Sequence, residues 1–159
     1  MIYIKKYDAK ESRLAIDVAA LDGAKILDIN FHRADLSKQI IKGTLFESCD
    51  FRGAFLQESQ FIECTFTKSS MITMVASKSI FIACRFSKAM AWYSDFVGST
   101  FENCMLNELD FRGANFDGGK ILNSTFLCKN LDKANLENIQ YDVRTVWPAG
   151  FVPPNSRSA

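Results

Sequence analysis

From Phe31 to Tyr141, every fifth residue of this chain is apolar: Phe31, Leu36, Ile41, Phe46, Phe51, Leu56, Phe61, Phe66, Met71, Ala76, Phe81, Phe86, Ala91, Phe96, Phe101, Leu106, Phe111, Phe116, Ile121, Phe126, Leu131, Leu136 and Tyr141. None of these 23 positions carries a charge or a polar amide. Twelve of the 14 phenylalanines fall at these 23 positions, where chance would place about 3 in one phase of five. A period of five is neither the 3.6 of a helix nor the 2 of a flat strand. It describes a chain built from small repeated units.

A second column runs two places before these centres. It reads Ala34, Thr44, Cys49, Ala54, Ser59, Cys64, Ser69, Ser79, Cys84, Ala89, Ser94, Ser99, Cys104, Ala114, Gly119, Ser124 and Ala134. The exceptions are Ile29, Gln39, Met74, Leu109, Lys129 and Ile139. The other three positions of each unit are mixed and mostly polar, so each unit points one large and one small side chain inward. Such a unit cannot bury its apolar face alone, and units must stack.

With this pattern the chain resembles the pentapeptide-repeat family, whose unit is Ala-(Asp/Asn)-Leu-x-x. The resemblance rests on Ala34-Asp35-Leu36, Ala114-Asn115-Phe116 and Ala134-Asn135-Leu136, with Cys49-Asp50-Phe51 and Ser94-Asp95-Phe96 as near variants. It implies an all-β fold, a right-handed, four-sided β-solenoid with four units per coil. The 23 units then make 5.75 coils and a rod of roughly 28 Å at the strand spacing of about 4.8 Å. Residues 20 apart lie one above another. One core column is Phe46, Phe66, Phe86, Leu106 and Phe126, and another is Ile41, Phe61, Phe81, Phe101, Ile121 and Tyr141. The same rule stacks Thr44, Cys64, Cys84, Cys104 and Ser124. Three thiols in a line offer no tetrahedral metal geometry, and free cysteine packs as a small hydrophobe; no metal or cofactor is expected.

A solenoid exposes its core at both ends and needs caps. Residues 1–20 fit the repeat poorly and are expected to form an N-terminal cap, with strand and helix both open for residues 11–21. The repeat domain is placed at 21–141. Residues 142–159 leave the period and are expected to cap the last coil with Trp147 and Phe151. The segment Thr145-Val146-Trp147-Pro148-Ala149-Gly150-Phe151 resembles the tail that follows the repeats in many family members. The prolines Pro148, Pro153 and Pro154 stop further strand pairing, and 155–159 reads as a frayed tail.

The sequence offers no catalytic constellation. His32 is the single histidine and follows a centre, so it points to solvent. No phosphate-binding or dinucleotide-binding glycine pattern occurs; Gly53, Gly113 and Gly118 fall at repeat corners, where tight turns favour glycine. Five cysteines without a close pair, and a start that lacks a signal-peptide stretch, point to a reducing cytoplasmic setting. No apolar run approaches membrane-spanning length, so no membrane partner is expected.

The resemblance implies one specific activity. Some members mimic the acidic rod of DNA and bind type II topoisomerases such as gyrase, which requires an acidic surface. Between Asn30 and Val143 the outward positions carry 13 acidic and 11 basic residues, with Lys129 at an inward position. That surface is nearly neutral. There is no basic stripe with interleaved aromatics either, so nucleic-acid binding is not expected.

The pattern breaks in the middle. Ala76 and Ala91 are undersized centres, and Met74, oversized in the small column, can fill the space beside Ala76. Phe55, Ile72, Val75, Met90, Trp92 and Tyr93 put bulk where polar residues belong. Two readings stand. Either these residues form an exposed patch on two adjoining faces, which binds a protein partner or a second copy of the chain, or Trp92 tucks inward to fill the Ala91 vacancy. The expected function is a non-enzymatic, rigid interaction scaffold. The alternatives are a topoisomerase-binding DNA mimic and an immunity or effector accessory protein. Relatives dimerise through the C-terminal end, so the resemblance leaves a homodimer open here.

Overall fold

The computed structural model describes residues 1–8, 10 and 12–155. The chain starts with an antiparallel hairpin of β1 (Ile2–Lys5) and β2 (Arg13–Ile16), in which Ile2 pairs with Ile16 and Lys5 with Arg13. Residues 12–21 therefore supply a strand and not a helix. Residue 11 and the segment 156–159, which holds most of the expected frayed tail, lie outside the described residues.

Among the described residues, two six-stranded parallel sheets follow. One stacks β3 (Lys25–Leu27), β5 (Leu45–Glu47), β7 (Thr65–Thr67), β9 (Arg85–Ser87), β11 (Met105–Asp110) and β13 (Thr125–Lys129). The other stacks β4 (Ile40–Lys42), β6 (Gln60–Ile62), β8 (Ile80–Ile82), β10 (Thr100–Glu102), β12 (Lys120–Leu122) and β14 (Gln140–Tyr141). Pairing is in register at a spacing of 20: Ile41, Phe61, Phe81, Phe101, Ile121 and Tyr141 are successive partners. Two further faces are built from single bridges, Asn30–Asp50–Ser70–Met90–Asp110 and Asp35–Phe55–Val75–Asp95–Asn115–Asn135. The fold is thus an all-β, four-sided solenoid. In chain order its faces are the β3–β13 sheet (first), the Asn30–Asp110 bridges (second), the Asp35–Asn135 bridges (third) and the β4–β14 sheet (fourth).

The period of five is made by the backbone. From Asp28 to Asn123 every fifth residue has positive φ, including Arg33, Glu58, Thr73 and Tyr93 as well as Gly53 and Gly113. Each such residue turns the chain by one corner, and the centre between two corners points inward. The rings pile as ladders: Phe46–Phe66 stack at 5.0 Å, Phe66–Phe86 at 4.9 Å, Phe61–Phe81 at 5.4 Å and Phe81–Phe101 at 4.8 Å. Rings from neighbouring faces meet edge-on, as Phe81 and Phe86 do at 5.7 Å. Both geometries suit the ring quadrupole.

The small column has its own chemistry. Ser, Thr and Cys side chains reach back 23 residues and donate to carbonyls of the coil below. Cys64 Sγ donates to the Ile41 carbonyl at 3.3 Å, Cys84 to Phe61 and Cys104 to Phe81 at 3.2 Å, and Thr44 Oγ1 to Leu21 at 2.7 Å. A buried carbonyl keeps a second lone pair after its ladder bond, and a short donor at the corner satisfies it. The flanking thiols of Cys104 and Cys64, together with burial, push the Cys84 thiol far above its usual range. Among the described residues, no three His, Cys, Asp or Glu side chains are grouped so that they could hold a metal ion.

Two members of the small column depart from expectation. Lys129 is not inward: it is exposed, and its Nζ lies 3.9 Å from Glu108 Oε2. Burying an unpaired ammonium is costly. The strand β13 instead alternates straight through the corner, with Phe126 and Cys128 in and Leu127 and Lys129 out. The register against β11 shifts so that Asp110 pairs with Lys129, and the positive-φ corner moves to Asn130, ahead of a 3-10 turn at Leu131–Lys133. Gln39 is exposed in the first coil, where it lines a cleft under the hairpin.

At the N-terminal end the hairpin joins the first coil edge-on. Asp35 N donates to the Lys5 carbonyl and Tyr7 N to the Arg33 carbonyl, each at 2.8 Å. At the other end the chain continues for part of a coil: Phe126 N donates to the Val146 carbonyl at 2.7 Å, and Thr145 Oγ1 donates to Ile121 at 2.8 Å. Trp147 then lies edge-on to Phe126 at 5.8 Å and to Tyr141 at 5.3 Å, with Phe151 packed on it at 5.6 Å. Tyr141 Oη donates to the Pro154 carbonyl at 3.0 Å, which ties the tail across the end.

Candidate functional site

Strand alternation decides where Trp92 goes. Ala91 is fully buried, so its neighbours Met90 and Trp92 point outward on the second face. Trp92 does not fill the Ala91 vacancy. In the coil above, Asp110 N bonds the Ala89 carbonyl, and Leu109, oversized in the small column, is buried. Met74 is likewise buried beside the small centre Ala76.

The second face brings Ile72, Met90 and Trp92 together. Thr73 N donates to the Trp92 carbonyl at 2.9 Å and Met71 N to the Met90 carbonyl at 2.7 Å, so the Ile72 strand segment runs in register beneath that of Trp92. Met90 is 40% exposed, and Ile72 and Trp92 are half-buried. Arginines bracket this apolar centre along the same column. The Arg112 guanidinium lies 5.2 Å from the Trp92 ring, a cation–π contact. On the other side Arg52 pairs with Asp50 at 2.6 Å. That pairing, above all, holds the Asp50 carboxyl below its usual range. Burial acts to raise the Asp110 carboxyl. The Asn130 side chain and the Arg112 amide and charge outweigh it and hold the group low. Asp50 thus holds the Arg52 guanidinium, whereas Asp110 accepts from the Arg112 backbone amide at 3.0 Å and from the Asn130 side chain at 2.8 Å.

Tyr93 stands at the corner between the second and third faces, with φ of 55° and 63% of its surface exposed. Its ring lies flat along the corner over Gly113, where an added Cβ would fall 2.5 Å from two ring carbons. Gly113 is therefore needed for two reasons, its own φ of 67° and the room it leaves for Tyr93.

Phe55 and Val75 sit on the third face, bridged to each other. Phe55 is engaged from outside by the N-terminal segment: Tyr7 meets it edge-on at 5.1 Å and donates its hydroxyl to Asp35 Oδ2 at 3.0 Å. The six residues singled out in the sequence thus divide into an open group, Ile72, Met90, Trp92 and Tyr93, and a third-face pair partly covered by the chain itself. His32 is exposed beyond the end of this group, and its backbone amide donates to Asn30 Oδ1 at 2.8 Å. Clefts of about 400 and 370 Å3 flank the N-terminal hairpin, lined in part by Tyr3, Gln39 and Ile40 and by Tyr7, Ser37 and Gln57.

A further apolar strip lies on the fourth face, where Ile62, Ile80 and Ile82 are half-buried outward neighbours and Ile40 is 56% exposed. A search for undersized centres misses it, because Phe61 and Phe81 beneath it are in phase. Reading the outward positions 20 apart would have found it.

A sequence model described as pentapeptide repeats matches eight copies over residues 29–67 and 79–118. No curated protein matches the chain by sequence. The structure is similar to that of Rfr23, a pentapeptide repeat protein from the cyanobacterium Cyanothece 51142, with a TM-score of 0.63 and 13% identity over 77% of this chain and 90% of that one. It is also similar to a trypsin-treated form of QnrB1, a plasmid-mediated fluoroquinolone resistance protein, with a TM-score of 0.61 and 19% identity over 76% and 71% of the two chains. A second trypsin-treated form gives 0.61 and 20% over 76% and 70%. At these identities the likeness is one of fold.

Proposed function

The chain belongs to the pentapeptide-repeat family, and from this and from the surface of its second face we propose that it is a non-enzymatic scaffold that binds a protein partner through Ile72, Met90, Trp92 and Tyr93. The observation that carries this reading is Trp92, an indole set on the outside of a rigid rod beside an exposed methionine and tyrosine. Trp, Tyr and Arg are the residues that dominate binding energy at interfaces. Successive coils are paired in register along both sheets, so little ordering cost accompanies binding. Arg52 and Arg112 favour a partner segment with an apolar anchor and flanking carboxylates. No helix of the described residues is long and apolar enough to cross a membrane, and the free buried cysteines suit the cytoplasm.

Capture from the native host by immobilised protein tests this. Replacing Trp92 and Ile72 by Ser should abolish the retained partner while thermal unfolding stays unchanged; undiminished capture by the folded double variant would remove the reading. The topoisomerase alternative rests on the family resemblance. Charge argues against it: with Lys129 exposed, the outward residues from Asn30 to Val143 comprise 13 acidic and 12 basic side chains. A gyrase supercoiling assay with and without the protein separates the two.

A further inference from the structure

The fourth face is a six-stranded parallel sheet; among the described residues its first strand borders the N-terminal hairpin, with Ile40 lining the cleft between them, and the outward side chains of β6 and β8 are only half-buried. Its outward side chains form two columns. One runs Ile40, Gln60, Ile80, Thr100 and Lys120, and the other Lys42, Ile62, Ile82, Glu102 and Leu122. The middle of the surface, around β6 and β8, is isoleucine. Lys42 and Glu102 lie in one column on either side of that middle, and both are exposed. At the corner before each strand stand Glu58 and Lys78, also exposed. Among the described residues, none of these four charges forms an ion pair within the protomer.

This arrangement is complementary to itself. Consider a two-fold axis lying in the contact plane, parallel to the strands and midway between β6 and β8. Rotation about it reverses the order of the coils and keeps each residue's place along its strand. Then β6 faces the second copy's β8, and β4 faces its β10. Ile62 meets Ile82, Gln60 meets Ile80 and Ile40 meets Thr100. Lys42 and Glu102 both stand about 7 Å from the axis on opposite sides, so each lysine meets a glutamate, twice per dimer. Glu58 and Lys78 are brought together in the same way.

Other axes fail. Moving the axis by half a coil, onto β6 or β8, sets Lys42 or Glu102 against an isoleucine. Moving it between β8 and β10 sets Ile82 against Glu102. Turning it along the rod places Lys42 against Ile40 and Glu102 against Thr100. Each buries a charge without a partner, which disfavours association.

We propose that the chain forms a face-to-face, antiparallel homodimer through the fourth face, isologous about the axis between β6 and β8. The contact spans four strands at about 4.8 Å each, so the area buried falls below the roughly 1,200 Å2 of standard interfaces. The dimer is accordingly weak and depends on concentration. The second face lies on the opposite side of the solenoid, so the two Trp92 surfaces point away from each other and stay open. Dimerisation makes the scaffold bivalent, and it does not require Trp92.

Sedimentation equilibrium of the full chain from about 10 µM to 1 mM tests the proposal. A reversible monomer–dimer equilibrium is expected. Ile82→Asp should remove it, with folding verified by circular dichroism. Lys42→Glu should weaken it at least tenfold, and Lys42→Glu combined with Glu102→Lys should restore it to within about threefold of the original, since the pair is then reversed and not lost. Trp92→Ser should leave it unchanged, which keeps this outcome separate from that of partner capture. A chain still monomeric at about 1 mM, or a dimer indifferent to Ile82 and Lys42, overturns the proposal. Failure of the double charge reversal to rescue overturns the antiparallel register.

Discussion

Phe81 sits where four other rings converge. It stacks on Phe61 and Phe101 and meets Phe86 and Phe96 edge-on, at 5.7 and 6.3 Å. Both neighbouring coils hold its ring, so the site has little freedom to collapse. Phe81→Ala should cost about 3–5 kcal/mol, read from denaturant unfolding. Tyr93 is the opposite case. It is exposed and holds a left-handed backbone that disfavours any side chain. Tyr93→Gly should therefore lower stability by less than about 1 kcal/mol, while partner binding falls at least tenfold. The two substitutions separate what holds the rod together from what it presents. The Phe ladder is legible in the sequence, because core positions in a repeat cannot vary independently. The tilt of the Tyr93 ring over Gly113 is not, since it depends on which neighbour 20 residues away lacks a Cβ.

At the scale of the strand, the fifth-residue rule holds until Lys129 and is then set aside. An ammonium in phase with the core costs more than a slipped corner, so β13 runs on to Lys129 and turns at Asn130. Cys128 becomes the buried residue, and burial drives its thiol well above its usual range. Two substitutions test this. Cys128→Lys should destabilise by about 3–5 kcal/mol, because it places the charge inside with no alternative register. Lys129→Ala should change stability by less than about 0.5 kcal/mol, because it removes only a surface pair. A larger effect at Lys129 than at Cys128 would mean that Lys129, not Cys128, is the structural residue. The sequence flagged Lys129 as an exception without showing how it is accommodated. Whether an outsized residue is tolerated, displaced or bypassed depends on the coil above and below it.

Over the whole molecule, the coils touch only their neighbours, so loss of structure should start at the ends. At the C-terminal end Asp142 accepts from Asn123 N at 2.9 Å and Thr145 Oγ1 at 3.0 Å and pairs with Arg144. The Asn123 amide, first among these, holds its carboxyl at about 2. A carboxyl lowered on folding stabilises fully above its unfolded value and loses that contribution as pH falls through the folded one. The protection of the Asn123 amide, relative to its intrinsic exchange rate at each pH, should fall between about pH 4 and 2, and Asp142→Asn should show the low protection already at neutral pH. Protection that persists in acid would show that the ring packing of Trp147 alone seals the end.

The period of five dictated the stacked coils and the inward columns, because a repeat can bury its apolar face only against copies of itself. Tertiary structure decided the rest. It turned Trp92 outward, covered part of Phe55 with Tyr7, and set Ile62, Ile80 and Ile82 side by side between Lys42 and Glu102. Those outcomes depend on residues 20 or more apart sharing one surface, and the inward pattern constrains nothing on the outside of the rod.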